Sequence, residues 1–184
     1  DGAMKSGSGA YGSGYLPAVF QGTVFRGGKS PVLHLASPDG VPAAAQKETL
    51  DLITRMDRRY SASREEDSTL EARIASYELA YRMQSEAPDV VDLSKESDAT
   101  KKLYGIDEPM TDDFGRKCLL ARRLVERGVR FVQLYSGTNL GDDWDDAHND
   151  LLGSHNKMAK KSDQPIAGLL SDLDGRGLLD STLV

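Results

Sequence analysis

In the first half of the chain, apolar side chains recur at helical spacing. They predict one helix over residues 43–61 and a second over 69–86, which Pro88 ends. The apolar stripe of the second helix consists of Leu70, Ile74, Tyr77 and Tyr81. Because the linker between these helices is short, we expect them to form a helical hairpin.

Two more helices are predicted before residue 128. A short one covers residues 92–103 and is capped by Ser94. A longer, more apolar one begins after Thr111 and runs to about Arg127, where Gly128 supplies the usual stop signal.

The run from Val129 to Tyr135 is apolar and short, which is typical of a buried strand. Beyond it, helices are predicted over residues 148–160 and from Ser162 or Asp163 to Leu173, and a further strand begins at Leu178. A strand that directly follows a helix and precedes others is typical of α/β proteins. We therefore expect an α/β fold that is rich in helix and has few strands.

Composition and charge restrict the classes of protein. The 184 residues favour a single domain, and a hydrophobic share of 39% predicts a modest core. The net charge of −6 argues against a nucleic-acid partner, because phosphate contacts require clustered Lys and Arg. The local cluster of Arg122, Arg123, Arg127 and Arg130 is interpreted as a solvated helix face.

The single cysteine, Cys118, excludes an intrachain disulfide and is interpreted as a buried structural thiol on an apolar helix face. No apolar run is long enough for a membrane span, and no signal peptide is visible. The chain opens at Asp1 rather than Met and stops at Val184 within an apolar run, so we expect an internal piece of a longer protein.

The richest candidate chemistry lies in Gly141–His155, which contains the only Trp, four acids ahead of its first His, and two of the three His residues. Asp145 and His148 are three residues apart, so a helical or turn-like backbone puts both on one face, with Cβ atoms about 5–6 Å apart. Carboxylate and imidazole together bind Zn or Mn, whereas carboxylates alone suit Ca. Asp146 replaces Asp145 as the partner of His148 if the segment is extended.

His155 is the weaker candidate for a metal ligand. In a regular helix over 148–155 it would lie about 10.5 Å along the axis from His148, too far to share one ion. We therefore interpret His155 as a neighbour of the site that contacts substrate. The alternative is that the acids only cap a helix and that Trp144 is a core aromatic, while His34 has a structural role.

At these residues the chain resembles a sulfatase-like family of exported bacterial proteins, the domain-of-unknown-function family fifteen-oh-one of the alkaline phosphatase superfamily. The resemblance covers nearly the whole chain. The matching stretches are Gly12–Thr23, Leu70–Gln84, Phe114–Gln133, Trp144–His148, and Asp163–Ala167 through Gly177–Val184.

The resemblance implies part of an alkaline-phosphatase-like α/β fold, a central mixed sheet flanked by helices. It implies a single partial domain over 1–184, with a loop-rich lead-in (1–42), a helical hairpin region (43–104) and an α/β core part (111–184). An Asp and a His a few residues apart supply part of a metal site in such proteins, and Asp145 (or Asp146) and His148 stand at that position.

What the resemblance implies for function is a metal-dependent hydrolase of sulfate or phosphate esters, small or polysaccharide, in the periplasm or outside the cell. The nucleophile would lie outside residues 1–184, so this piece alone is expected to be inactive. The alternative is a non-catalytic exported module that uses the same fold to bind glycan or protein.

Overall fold

The computed structural model describes residues 12–16, 20, 22–26, 31–32, 40–61, 74, 78, 81, 88–136, 144 and 150–184. They fall into two compact units, one composed mainly of Val90–Val184 and one that includes Val32–Asp89. Each unit is described by itself.

The regular secondary structure of the described residues is entirely helical. Four α-helices are bounded by residues that the structure describes: α1 (Ala43–Ser61), α2 (Asp98–Leu103), α3 (Asp112–Glu126) and α4 (Leu151–Gly175). Residues 88–91 are also helical, and short 3-10 helices cover Leu93–Lys95 and Leu179–Ser181.

In the unit that includes Val32–Asp89, α1 has the bounds expected from its apolar spacing. Ile74, Glu78 and Tyr81 are helical too, as predicted for the second helix, whose ends lie outside the described residues. The Arg58 Nη2 lies 2.7 Å from the Glu78 Oε1, so this ion pair joins the last turns of α1 to the second helix. The hairpin itself stays a prediction.

In the other unit, α3 and α4 pack against each other and against the end of α2. The contact is close because two helix positions lack a side chain. A Cβ on Gly115 of α3 would overlap the Tyr104 carbonyl oxygen, and one on Gly168 of α4 would lie 2.7 Å from the Leu103 oxygen. The Gln164 Nε2 also donates to the Lys102 oxygen at 2.8 Å. The end of α2 is therefore held by both long helices.

The core lies between these three helices. Its buried members are Tyr104, Ile106, Cys118, Leu119, Leu169 and Leu173. The prediction that Cys118 is a buried thiol is confirmed, since its exposed fraction is 0%. Burial raises the pKa of this thiol to about 12, so it stays protonated and unreactive at neutral pH.

Three helices of this unit end in the same way. The glycine after each C-cap (Gly105, Gly128 and Gly177) has positive φ, and the next residue is apolar. At the end of α3, the Gly128 N–H donates to Val125 O at 2.8 Å and the Val129 N–H to Leu124 O at 3.1 Å. This is the Schellman arrangement, which satisfies carbonyls that the helix leaves unpaired. The stop predicted at Gly128 is thus confirmed.

The predicted α/β, alkaline-phosphatase-like fold is wrong for the residues described, which contain no strand or sheet. The strand predicted over residues 129–135 is absent, since these residues have no regular secondary structure. From residue 131 to residue 136 the side chains alternate between exposed and half-buried, and Leu134 packs against the core. The segment is apolar because one of its sides packs against the helices. A strand in a sheet shows the same alternation of covered and exposed side chains.

Two helix boundaries differ from those predicted. The expected break near Ser162 is absent, because α4 continues through Pro165 and the Ser162 hydroxyl donates to the Met158 oxygen at 2.9 Å within the helix. Tertiary contacts on both sides of Pro165 outweigh the hydrogen bond that proline cannot donate. The predicted helix over 92–103 is divided, with Asp92 capping the 3-10 helix and Ser97 capping α2.

We predict that Gly105→Ala destabilises the protein more than Gly128→Ala. Both positions have φ near +70–80° (68° and 82°), where alanine costs about 1 kcal/mol. At Gly105 the new Cβ would also overlap the Thr111 hydroxyl and lie 2.9 Å from its Cβ, whereas nothing lies within 4 Å at Gly128. We expect a further ~1–3 kcal/mol at Gly105. Urea unfolding measures the free energy of unfolding of both variants. Equal decreases would contradict the close contact between Gly105 and Thr111.

Candidate functional site

Trp144 and His155 form the aromatic contact of the predicted site. Their ring centroids are 5.8 Å apart and the ring planes meet at 57°. The indole Nε1 donates to the Ser136 hydroxyl at 2.9 Å, so both edges of the indole are positioned. Trp144 is 42% exposed and His155 is exposed. The pair is therefore a surface feature, and the interpretation of Trp144 as a core aromatic is not supported.

The helix that carries His155 begins later than predicted. Asp150 is the N-cap of α4, and its Oδ1 accepts a hydrogen bond from the Gly153 N–H at 2.9 Å. The absence of a side chain at Gly153 makes room for that carboxylate. Since the helix begins at Leu151, the axial separation expected for a regular helix over 148–155 does not apply. His155 stays predicted as a neighbour of the site that contacts substrate.

The predicted metal ligands Asp145, Asp146 and His148 lie outside the described residues, as does His34. Among the residues that the structure does describe, no group of three or more His, Cys, Asp or Glu side chains could hold a metal ion. The predicted ligands are not among these residues, so the site at Asp145 or Asp146 with His148 stays a prediction.

A second polar cluster, which the sequence did not indicate, lies between α3 and α4. We call it the Arg122 cluster. It consists of three basic residues, Arg122, Arg123 and Arg176, and three acidic ones, Glu96, Glu126 and Asp172. The hydroxyl of buried Tyr104 also donates to the Asp172 Oδ2 at 3.0 Å. The cluster is electrically balanced and ties both helices to the turn before α2.

Arg122 is the central residue of this cluster, with an exposed fraction of 2%. Its Nη2 lies 2.7 Å from the Glu96 Oε1 and its Nε lies 3.1 Å from the Asp172 Oδ2. Within the described residues, its Nη1 donates a hydrogen bond to Glu126, while the buried Nε and Nη2 have no aligned acceptor. The free-energy cost of removing this guanidinium from water is therefore offset largely by attraction to the carboxylates, without aligned hydrogen bonds at Nε and Nη2.

The pKa values of Glu96 and Arg122 are shifted so that the charged form of each is favoured. Burial by itself would raise the pKa of Glu96, but the hydrogen bond from Arg123 and the nearby charge of Arg122 outweigh it and lower that pKa. Burial would likewise lower the pKa of Arg122, and the carboxylates of Glu96 and Glu126 raise it. At neutral pH, Glu96 is therefore a carboxylate and Arg122 a guanidinium cation.

The interpretation of the arginine cluster as a solvated face is wrong for Arg122 and Arg123, which are both buried. Arg127 and Arg130, the other two residues of that cluster, are exposed. Four-residue spacing pairs Arg122 with Glu126 on α3, and Asp172 with Arg176 at the end of α4. It does not separate buried from exposed arginines, because exposed Arg130 is also four residues from Glu126. The pairing across the two helices depends on tertiary structure.

The described residues define a helical protein whose exposed aromatic pair, Trp144 and His155, flanks in sequence a segment that contains acids and a histidine. The chain belongs to the family described as "Protein of unknown function (DUF1501)", whose model matches residues 1–184. No curated protein and no solved structure matches it. Within the described part of the chain, every helix is too short or too polar to cross a membrane.

We predict that Glu96→Gln lowers the free energy of unfolding by about 3 kcal/mol at neutral pH, because it leaves two buried guanidinium groups short of charge. The pKa of Glu96 is lower in the folded state. The stabilisation from its charge is therefore present above its ordinary pKa and is lost as the pH falls through the lower, folded one. Urea unfolding at several pH values should show the difference from wild type shrinking in acid.

The matched control is Asp113→Asn, which removes an exposed ion pair with Lys117 on the same helix. That change should cost about 0.5 kcal/mol or less. If the two variants were equally stable, the Arg122 cluster would not be the interaction that joins α3 to α4.

Proposed function

We propose that this protein is a divalent-metal-dependent hydrolase of sulfate or phosphate esters, with Asp145 and His148 as metal ligands and Asp146 as the alternative carboxylate. The observation that carries the proposal is the contact between Trp144 and His155. It brings an exposed imidazole beside the residue that directly precedes Asp145.

Chain connectivity supports the proposal. Trp144 contacts His155, and Asp150 caps the helix on which His155 lies. Residues 145–149 come directly after Trp144 and directly before Asp150, so the proposed ligands are only a few residues along the chain from either position. This short chain distance is what supports a metal site near His155.

The donors present are chemically suited to such an ion. Carboxylate and neutral imidazole are the ligands that Zn and Mn accept, and Ca accepts the carboxylates. The Asp150 carboxylate is already engaged with the Gly153 N–H, so the proposal does not use it. The chemistry that a bound ion supplies is polarisation of the ester oxygen and stabilisation of charge on the leaving group.

His155 has a separate role in this proposal. Its imidazole is exposed and lies against Trp144, so it can contact the ester or donate a proton to the leaving group. We also propose that the protein works outside the cytoplasm. This part of the proposal rests on the family resemblance alone.

We predict that the full-length protein, purified without chelator, carries close to one divalent ion per chain at this site. His148→Ala should lose most of that metal, because a site with few protein ligands does not tolerate the loss of one. Elemental analysis by mass spectrometry measures the ratio. His34→Ala is the matched control, since it removes a histidine far away in sequence, and it should keep its metal.

Activity separates binding from catalysis. Aryl sulfates and aryl phosphates are the probes, and His155→Ala should retain metal while its kcat/KM falls by roughly 10²-fold or more. A wild-type protein that binds none of Zn, Mn or Ca when each is added would refute the proposal. The acids would then only cap the helix.

A further inference from the structure

We infer that α1 is a self-association surface, through which two copies of the chain pair by antiparallel contact of their α1 helices. We call the contact surface the α1 stripe, and its apolar members are Leu52, Ile53, Met56 and Tyr60. The inference concerns assembly rather than chemistry, so it does not depend on the proposed hydrolase activity. It starts from a helix whose apolar side chains are left in contact with water.

Helix α1 is poorly covered by its own chain. No residue from Ala44 to Tyr60, all of which the structure describes, is fully buried. By contrast, α3 is shorter than α1 and buries seven of its residues. Helices obtain most of their stability from the packing of an apolar face, and a single helix in water is only marginally stable. The packing of α1 within one chain is therefore incomplete.

The side chains of the α1 stripe form one continuous face. At 3.6 residues per turn they lie within about 100° of one another around the helix axis. Each of them is between 39% and 62% exposed. Thr49 extends the face by one turn, because its hydroxyl is satisfied within the helix by the Ala45 oxygen at 2.9 Å. Single apolar residues are normal on a surface, but a stripe of this width is typical of a helix that packs against another element.

The charged residues on one flank of the stripe indicate what that element is. Glu48 lies in the first half of α1, whereas Arg55 and Arg59 lie in the second half on the same flank. Among the described residues, Glu48 and Arg59 form no ion pair, while Lys47 and Arg58 each form one. A face that is acidic towards one end and basic towards the other is complementary to a copy of itself turned end to end.

An antiparallel pair of α1 helices, related by a two-fold axis at the level of Thr54, uses both features. It puts Leu52 of one copy opposite Met56 of the other, so the apolar side chains cover each other. It also puts Arg59 within about 1.5 Å, measured along the helix axis, of the level of Glu48 in the other copy. The two-fold axis makes each contact twice, and helices packed about 8–10 Å apart bring these long side chains within reach.

The same charges argue against a lipid surface as the partner of α1. Helices that lie on a membrane carry mainly Lys and Arg on their polar face. Acidic and basic residues nearly balance in α1, which contains Lys47, Arg55, Arg58 and Arg59 beside Glu48, Asp51 and Asp57. The chain as a whole has a net charge of −6. Attraction to anionic lipid is therefore weak, and a second copy of the chain is the better match.

Sedimentation equilibrium of the full-length protein measures this pairing. Two helices of 19 residues bury less surface than a standard interface, so we expect a monomer–dimer equilibrium with a Kd of roughly 1–100 µM. Met56→Glu should raise that Kd about tenfold or more, because it puts a charge into the apolar contact of both copies. Met110→Glu is the matched control, since Met110 is also exposed but lies outside α1, and it should leave the Kd unchanged. Circular dichroism checks that each variant is folded.

A charge exchange tests the antiparallel register. Glu48→Arg and Arg59→Glu each put like charges opposite one another, so each should weaken the dimer severalfold. The double variant restores opposite charges between the two copies, and its Kd should return to within about threefold of the wild-type value. A lipid surface or an unrelated protein would not produce this recovery.

Three results would overturn the inference. One is that the wild-type protein stays monomeric at about 500 µM, well above the expected Kd, and a monomer that instead floats with anionic phospholipid vesicles would assign the stripe to lipid. Another is that Met56→Glu dimerises as tightly as Met110→Glu, which would put the dimer contact elsewhere on the chain. The last is that the double charge variant dimerises no better than the two single variants, which would exclude the antiparallel register.

Discussion

The buried charge of Arg122 is the constraint on which the packing of α3 and α4 depends. Removing a guanidinium from water costs several kcal/mol, and this one recovers that cost only if its carboxylates stay in place. Those carboxylates come from three different parts of the chain: Glu96 before α2, Glu126 on α3 and Asp172 on α4. A shift of either long helix would leave charge uncompensated, so the cluster selects one arrangement among several that an apolar interface would tolerate.

The glycines that face the end of α2 act together with this charge requirement. Gly115 and Gly168 allow both helices to approach the Leu103–Tyr104 backbone, and that approach brings Tyr104 within hydrogen-bond distance of Asp172. Close backbone packing and the ionic cluster are therefore parts of one interface. Burial and the adjacent Asp172 carboxylate raise the pKa of Tyr104, so its hydroxyl stays protonated and can donate at neutral pH.

The sequence predicted which residues form helices better than it predicted which elements and side chains pack against each other. Helix α1 and the Gly128 stop depend on residues close in sequence, and both were found where expected. The apolar run after Gly128 has the pattern of a strand, because apolar spacing does not show which element packs against a segment. For the same reason, an arginine that pairs across two helices resembles one that faces solvent. In the candidate site, the sequence indicated His155 but not its contact with Trp144, because that contact depends on where α4 begins.

The beginning of α4 lies outside the core that holds the rest of this helix. Leu151 and Leu152 are 61% and 76% exposed, and the first buried side chain of the helix is that of Met158. About two turns are thus secured by the Asp150 cap and the Trp144 contact rather than by burial. Segments with so few buried contacts open more readily than the global unfolding reaction, and their amide hydrogens exchange faster. A molecule that binds beside Trp144 therefore loses binding free energy to the entropic cost of ordering this end of the helix. Its binding would slow amide hydrogen exchange in the first two turns of α4.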